Sequence, residues 1–137
     1  MVVETKEFSL NTNGRDDIRD ITDEVARILQ SSRITSGVVT IFVAHATAGL
    51  TTIEYESGAI SDFKQTLRRL IPEDPAYAHN RIDDNAHSHL RAALIGPSLS
   101  VPFVNKKLLL GTWQQIVLCD FDTSARRRRV ICQIIGE

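Results

Sequence analysis

"SLSVPFVNKKLLLGTWQQIVLCDFDTSARRRRVICQII", Ser98 to Ile135, is the stretch that decides the fold class. It holds four short β-like runs, "SLSVPFV", "KLLLG", "WQQIVLCDF" and "RRRVICQII", separated by turn signals. The last two read as an antiparallel hairpin closing around Thr123 to Arg126. Strands in immediate succession, with no helical period between them, require antiparallel pairing rather than parallel crossovers.

Upstream the pattern is different. Residues 2–9 alternate as an opening strand, and "NTNGRDD" follows as a turn cluster suited to a helix start. From Asp17 to Gln30, Ile18, Ile21, Val25, Ile28 and Leu29 recur at three- and four-residue steps, which predicts an amphipathic helix. "SGVVTIFVAH" reads as a strand dense in β-branched residues and covered on both faces. After a Thr/Ala/Gly turn, Ile60, Phe63, Leu67 and Leu70 mark a second helix that Pro72 stops. "PEDPAYAHNRIDDN" has no period, and a loop of that length in a compact domain is often functional. A short third helix is expected from Asp84 or Asn85 to Gly96-Pro97. The sum is an α+β single domain over residues 1–137, with a mainly antiparallel sheet and two to three helices.

Composition excludes several function classes. The chain has 137 residues, 24% of them charged, and a net charge of −1, so nothing marks a general nucleic-acid or membrane-surface binder. Apolar runs fall far short of the roughly 20 residues a membrane-spanning helix needs. "MVVETKEFSL" lacks the apolar segment of a signal peptide, so the cytoplasm is the expected compartment. Cys119 and Cys132 do not have metal-type spacing. In the expected hairpin they are equidistant from the turn, which leaves two readings open: reduced thiols filling core positions, or a cross-strand disulfide.

Chemistry concentrates in the histidines. His79, His87 and His89 lie within eleven residues, beside Asp83, Asp84 and Asn85, and His45 ends the expected strand "SGVVTIFVAH". Imidazole suits zinc and similar ions, and three protein ligands with one open position is the catalytic arrangement. On a helix, His87 and His89 point roughly 200° apart and cannot share an ion, whereas Asn85 and His89 share a face. Glu54, nine residues after His45, is a candidate base, ligand or helix-start carboxylate. Of Arg126 to Arg129, strand alternation sends successive side chains to opposite faces, so at most two can clamp one phosphate. Trp113 and Gln114 put a large aromatic beside an amide.

Several stretches together resemble the YjbQ-like family: "HATAGLTTIE", "YAHN", "DDNAHSHLRAALIGPSLSVPF", "LLLGTWQQIVLCDFD" and "RRRVICQIIGE". The resemblance covers nearly the whole chain. It implies a small α+β fold with a sandwich-like core, assembled as a homotrimer. It also implies an activity like that of secondary thiamine-phosphate synthases, which join a hydroxymethylpyrimidine pyrophosphate to a thiazole phosphate. Carried over by position, it makes His45, His79 and His89 metal ligands and His45 and Glu54 catalytic. Thr47, Thr51, Asn85, Trp113, Gln114, Arg128 and Arg129 become substrate-binding. Ala46, Tyr55 and Lys106 depart from the family pattern, and they bear on substrate recognition rather than on fold. Three imidazoles favour zinc, while pyrophosphate chemistry normally uses magnesium held by carboxylates. A metal-dependent hydrolase and a non-catalytic metal- or metabolite-binding trimer therefore stand as alternatives.

Overall fold

The computed structural model describes residues 1–137 and arranges them as two antiparallel sheets and three α-helices. In chain order these are β1 (Val2–Thr12), β2 (Asp17–Asp20), α1 (Thr22–Ser31), β3 (Gly37–Val43), β4 (Ala48–Ile53) and α2 (Ser57–Leu70). A 3-10 turn at Ala78–Arg81 precedes α3 (Ala86–Ile95), β5 (Ser98–Val104), β6 (Lys107–Leu108), β7 (Gln115–Asp120) and β8 (Arg126–Gly136). The larger sheet has the order β1-β8-β3-β5-β6 and the smaller β2-β7-β4. This is the expected α+β domain. No helix is long and apolar enough to cross a membrane.

Side-chain alternation builds the core. Val39, Ile41 and Val43 of β3, Val101 and Phe103 of β5, and Val130, Cys132 and Ile134 of β8 point inward from the larger sheet. They meet Ala48 and Leu50 of β4, Ile116 and Leu118 of β7, and Val25 and Leu29 of α1. The other face of the small sheet presents Ile18, Val117 and Cys119, which with Phe121 pack against Leu67 of α2 and Ala92 of α3. The small sheet is thus the middle layer, covered on both sides. That is why β7 reads as an unbroken apolar run. Burying a side chain such as Leu118 from water stabilises the fold by about 1.5–3 kcal/mol.

Four expectations are corrected. First, β7 and β8 do not form a hairpin: β7 pairs with β2 and β4, whereas β8 pairs with β1 and β3. The link between them carries the chain from the middle layer to the outer sheet. Cys119 and Cys132 consequently lie in different cores, and both are free thiols. Second, Asp17–Asp20 is a strand and the helix begins only at Thr22. Ile18 and Ile21 are three apart, as on a helix, yet they enter different cores. Gly14, Arg15 and Asp16 all have positive φ and turn the chain into β2.

Third, β3 is covered on one face only, since Val38 and Phe42 are 43% and 40% exposed. Its β-branched density comes from an outer face that is itself apolar. Fourth, a strand, β4, occupies the stretch read as the tail of a turn. Leu50 is hydrogen-bonded to the Gly96 carbonyl at 2.9 Å, and Tyr55 to Gln115 at 2.8 Å, so both ends of this edge strand are anchored.

A close approach fixes how β3 and β8 meet. Gly37 is paired with Gly136, and a Cβ on either would stand 2.0 Å from a carbonyl oxygen of the opposite segment. Gly37→Ala is therefore expected to cost about 1–3 kcal/mol through forced backbone shifts. Gly111→Ala, whose added carbon would meet only ordinary contacts at 3.6 Å, should stay within about 0.5 kcal/mol. Urea unfolding of the two variants measures the difference.

Candidate functional site

Arg128 decides how the histidine region is built. Arg126, Arg127 and Arg129 are exposed, but alternation turns Arg128 inward, where it is 2% exposed. Its Nε donates to Asp120 Oδ2 at 2.8 Å and its Nη2 to Asp120 Oδ1 at 2.7 Å. Asp120 ends β7 and is wholly buried, so this two-pronged pair ties the small sheet to the large one. The same Nη2 donates to Thr47 Oγ1 at 2.8 Å, and the Thr12 hydroxyl donates to Asp120.

From Thr47 the network runs outward. The Thr47 hydroxyl donates to Asp122 Oδ2 at 3.0 Å, and Asn85 Nδ2 donates to Asp122 Oδ1 at 3.3 Å. Asn85 Oδ1 lies 3.2 Å from His79 Nε2, and the His79 ring meets His89 edge-on with centroids 4.7 Å apart. Burial by itself would raise the Asp122 carboxyl. Donors from Arg126, the Thr123 backbone, Asn85 and Thr47 outweigh that and hold it far below the usual carboxylate range.

Local structure places each imidazole. His79 rides the 3-10 turn, and the Asn80 side chain locks that turn by accepting from Ala86 N–H at 3.0 Å. Asn85 opens α3, its carbonyl accepting from Ser88 and His89 N–H. His89 lies one turn further on, the four-residue spacing that puts both on one face. His45, two residues past β3, accepts the Arg129 backbone N–H on Nε2 at 2.9 Å. Desolvation first, then the charge of Arg128, holds its pKa below the ordinary value.

His89 borders two adjoining cavities. One, of about 390 Å³, is lined by Tyr77, Ala78, His79, Ala86, His89 and Leu90. The other, of about 360 Å³, has His45, Ala46, Ala48, His89, Ala92 and Ala93 around it. His87 faces elsewhere, buried at 4% exposure with Nε2 3.4 Å from Glu73.

The remaining site residues stand apart from this cleft. Glu54 does not start α2: Glu56 caps that helix, accepting from Gly58 and Ala59 N–H, while Glu54 is exposed beside Trp113. β4 separates His45 from Glu54, and its six residues span roughly 17 Å at strand rise. Thr51 and Gln114 line a third cavity, between β4 and β5, and Trp113 is 72% exposed. Within the chain the expected residues therefore fall into two groups, at opposite ends of β4.

Nor are Arg128 and Arg129 a joint clamp. Arg128 is committed to Asp120 and Thr47, and only Arg129 keeps an exposed guanidinium, paired with Glu7 at 2.8 Å. Sequence reasoning passed over Asp120 and Asp122. Their spacing in "CDFD", three residues before the basic run, was the available signal.

A metal centre on all three histidines needs a free lone pair from each. His45 spends the one on Nε2 on the Arg129 amide, so in this arrangement the residues do not fit such a centre. No group of three His, Cys, Asp or Glu side chains is gathered closely enough to share an ion.

The fold and site define a small α+β protein whose two antiparallel sheets are pinned by a buried ion pair beside a histidine-lined cleft. Residues 6–137 match the family model described as UPF0047 protein YjbQ-like, and the chain belongs to that family. A UPF0047 protein of Methanothermobacter thermautotrophicus is 41% identical over 137 residues, covering 100% of this chain and 95% of that one. YugU of Bacillus subtilis is 35% identical over 134 residues, 96% of this chain and 98% of its own. A crystal structure of a protein of unknown function from Sulfolobus solfataricus superposes with a TM-score of 0.94 at 35% identity, covering 99% of each chain. A hypothetical protein from Aeropyrum pernix gives 0.91 at 34% identity, with 98% of this chain and 99% of that one covered.

Two outcomes follow for stability. Arg128→Met leaves Asp120 buried and unpaired and is expected to cost about 3–5 kcal/mol, most of it recovered when Asp120→Leu is added. Urea unfolding of the single and double variants reads this out. His45 and His87 both have folded-state pKa values below the 6.5 of an unburied imidazole. The unfolded chain therefore binds the extra protons, and the stability from keeping these rings neutral, complete above about pH 6.5, is lost as pH falls through the lowered values. The midpoint of thermal unfolding should drop over that range, and less in His87→Gln.

Proposed function

We propose that this chain is a small-molecule enzyme working at the cleft of His45, His79 and His89, on a phosphorylated metabolite of the kind thiamine-phosphate synthases use. One observation carries the reading. Three imidazoles, from a strand end, a 3-10 turn and a helix, border adjoining cavities walled by small side chains and backed by a fully hydrogen-bonded polar network. Rings held by such a network suit proton transfer, because their orientation costs nothing at the moment of reaction. Arg129, whose own backbone amide donates to His45, carries a cation free to meet a phosphate; its partner Glu7 is an exposed surface ion easily exchanged.

A homotrimer belongs to this proposal. The outer face of the larger sheet carries Val3, Ile135, Val38 and Pro102 in one cross-strand row, with Phe42 and Ile131 in another. Nothing in the subunit covers them. Assembly would remove this apolar surface from water. It would also allow a neighbouring copy to bring the Glu54–Trp113 end of β4 toward the histidines.

The tests are direct. His79→Ala and His89→Ala should each lower turnover at least 100-fold against thiazole and pyrimidine phosphates, with little loss of stability. Thermal stabilisation by those phosphates without turnover in the wild type would make the chain a binding module instead. Phe42→Glu should convert the assembly to monomer by light scattering at micromolar concentration. A wild-type monomer would remove the trimer.

A further inference from the structure

The hydrogen-bond chain behind the cleft has a direction. Asp122, held as a carboxylate, can only accept. Five donors reach it: Arg126 Nε at 2.9 Å, Thr123 N–H at 2.7 Å, the Thr47 hydroxyl at 3.0 Å, Asn85 Nδ2 at 3.3 Å and the Thr123 hydroxyl at 3.5 Å. The Thr47 oxygen already accepts from Arg128, so its own proton is what it has left to give. An amide beside an acceptor-only group must turn its NH2 toward it. The Asn85 oxygen is thereby left facing His79 Nε2 at 3.2 Å. That contact is a hydrogen bond only if Nε2 carries the proton. A neutral imidazole has one proton, so His79 Nδ1 is bare.

His45 is set the opposite way. Its Nε2 accepts from the Arg129 backbone at 2.9 Å, and a main-chain N–H cannot reverse its role. The proton of neutral His45 therefore sits on Nδ1.

We infer that Asp122 is a positioning residue, acting through Asn85 to hold His79 as the Nε2–H tautomer, while the Arg129 amide holds His45 as the Nδ1–H tautomer. The two rings that border the cavities thus carry one bare Nδ1 and one protonated Nδ1, an acceptor and a hydrogen-bond donor assigned before any ligand arrives. In the enzyme reading the bare His79 Nδ1 is the base, while His45 Nδ1–H, whose loss would leave an imidazolate, serves as a hydrogen-bond donor to an oxygen of the bound molecule. The assignment itself stands on hydrogen bonding alone, so it is tested without activity.

The experiment is a long-range proton–nitrogen correlation spectrum of the full-length protein labelled with nitrogen-15 in its imidazoles. It is recorded at about pH 8.5, where unperturbed imidazoles are neutral. The expected wild-type result is a single tautomer at each ring, Nε2–H for His79 and Nδ1–H for His45. In D122N the new amide can donate as well as accept, Asn85 is free to turn over, and His79 should move to an averaged pattern. N85A, which removes the acceptor outright, should do the same. R126Q removes one donor but leaves the carboxylate facing Asn85, and His79 should not change. A wild-type His79 protonated on Nδ1 overturns the proposal, as does a pattern unchanged in both D122N and N85A. A shift in R126Q as large as that in D122N would reveal general loosening and likewise overturn it. Wild-type spectra with the opposed tautomers, in a protein that turns nothing over, would keep this inference and discard the enzyme.

Discussion

The buried pairing of Arg128 with Asp120 is the constraint on which the rest depends. Two sheets that share no ladder must be held in one relative position, and apolar packing sets their distance better than their register. A planar guanidinium gripping a carboxylate at two points, 2.8 and 2.7 Å, fixes that register. Desolvating both charges is costly, and the favourable term comes from the added hydrogen bonds: the Thr12 hydroxyl and the Asp122 N–H complete the donors to Asp120, and Thr47 accepts from Arg128. No buried side-chain polar atom in the protein lacks a partner. A second buried pair does similar work on the far side of the middle layer. Arg91 of α3 meets Asp16 at 2.9 Å and the Ile71 carbonyl at 2.8 Å, binding the end of α2 to the left-handed turn before β2.

The same interaction that stabilises the sheets organises the site. Thr47 accepts a hydrogen bond from Arg128 on one side and donates one to Asp122 on the other, and Asn85 links Asp122 to His79, so the polar network is continuous from the innermost pair to the His79 ring at the cleft. Stability and chemistry are therefore not separable along β8. Its inward positions alternate between aliphatic residues that fill the core and one arginine that governs the geometry of the cleft.

How much was legible in the sequence follows from which signals are local. The α+β class, the positions of α2 and α3, and the break at Gly96-Pro97 came from periodicity and punctuation, which neighbouring residues determine. The partner of β7 did not. A five-residue link beside two strand-like runs looks like a hairpin, and only the covering of β7 on both faces by different layers shows that it belongs elsewhere. β2 was hidden because Ile18 and Ile21 keep helical spacing while serving two cores. β4 was hidden because Ala48 and Gly49 read as turn residues. At the site, the histidines stood out by type, and the inward turn of one arginine in four was implicit in alternation. That Arg128 is fully engaged, and that Glu54 and Trp113 sit at the other end of β4, depends on three-dimensional placement that no spacing encodes.

The two thiols acquire a use from where they lie. Cys119 belongs to the core beneath α2 and α3, Cys132 to the core between the sheets, and burial pushes each up to about 12. At neutral pH neither offers a thiolate to an alkylating reagent while its surroundings stay closed. Each is thus a silent clock for one half of the molecule: equal labelling rates mean the two halves open as one cooperative unit, and a faster Cys119 means the helical layer lifts away first.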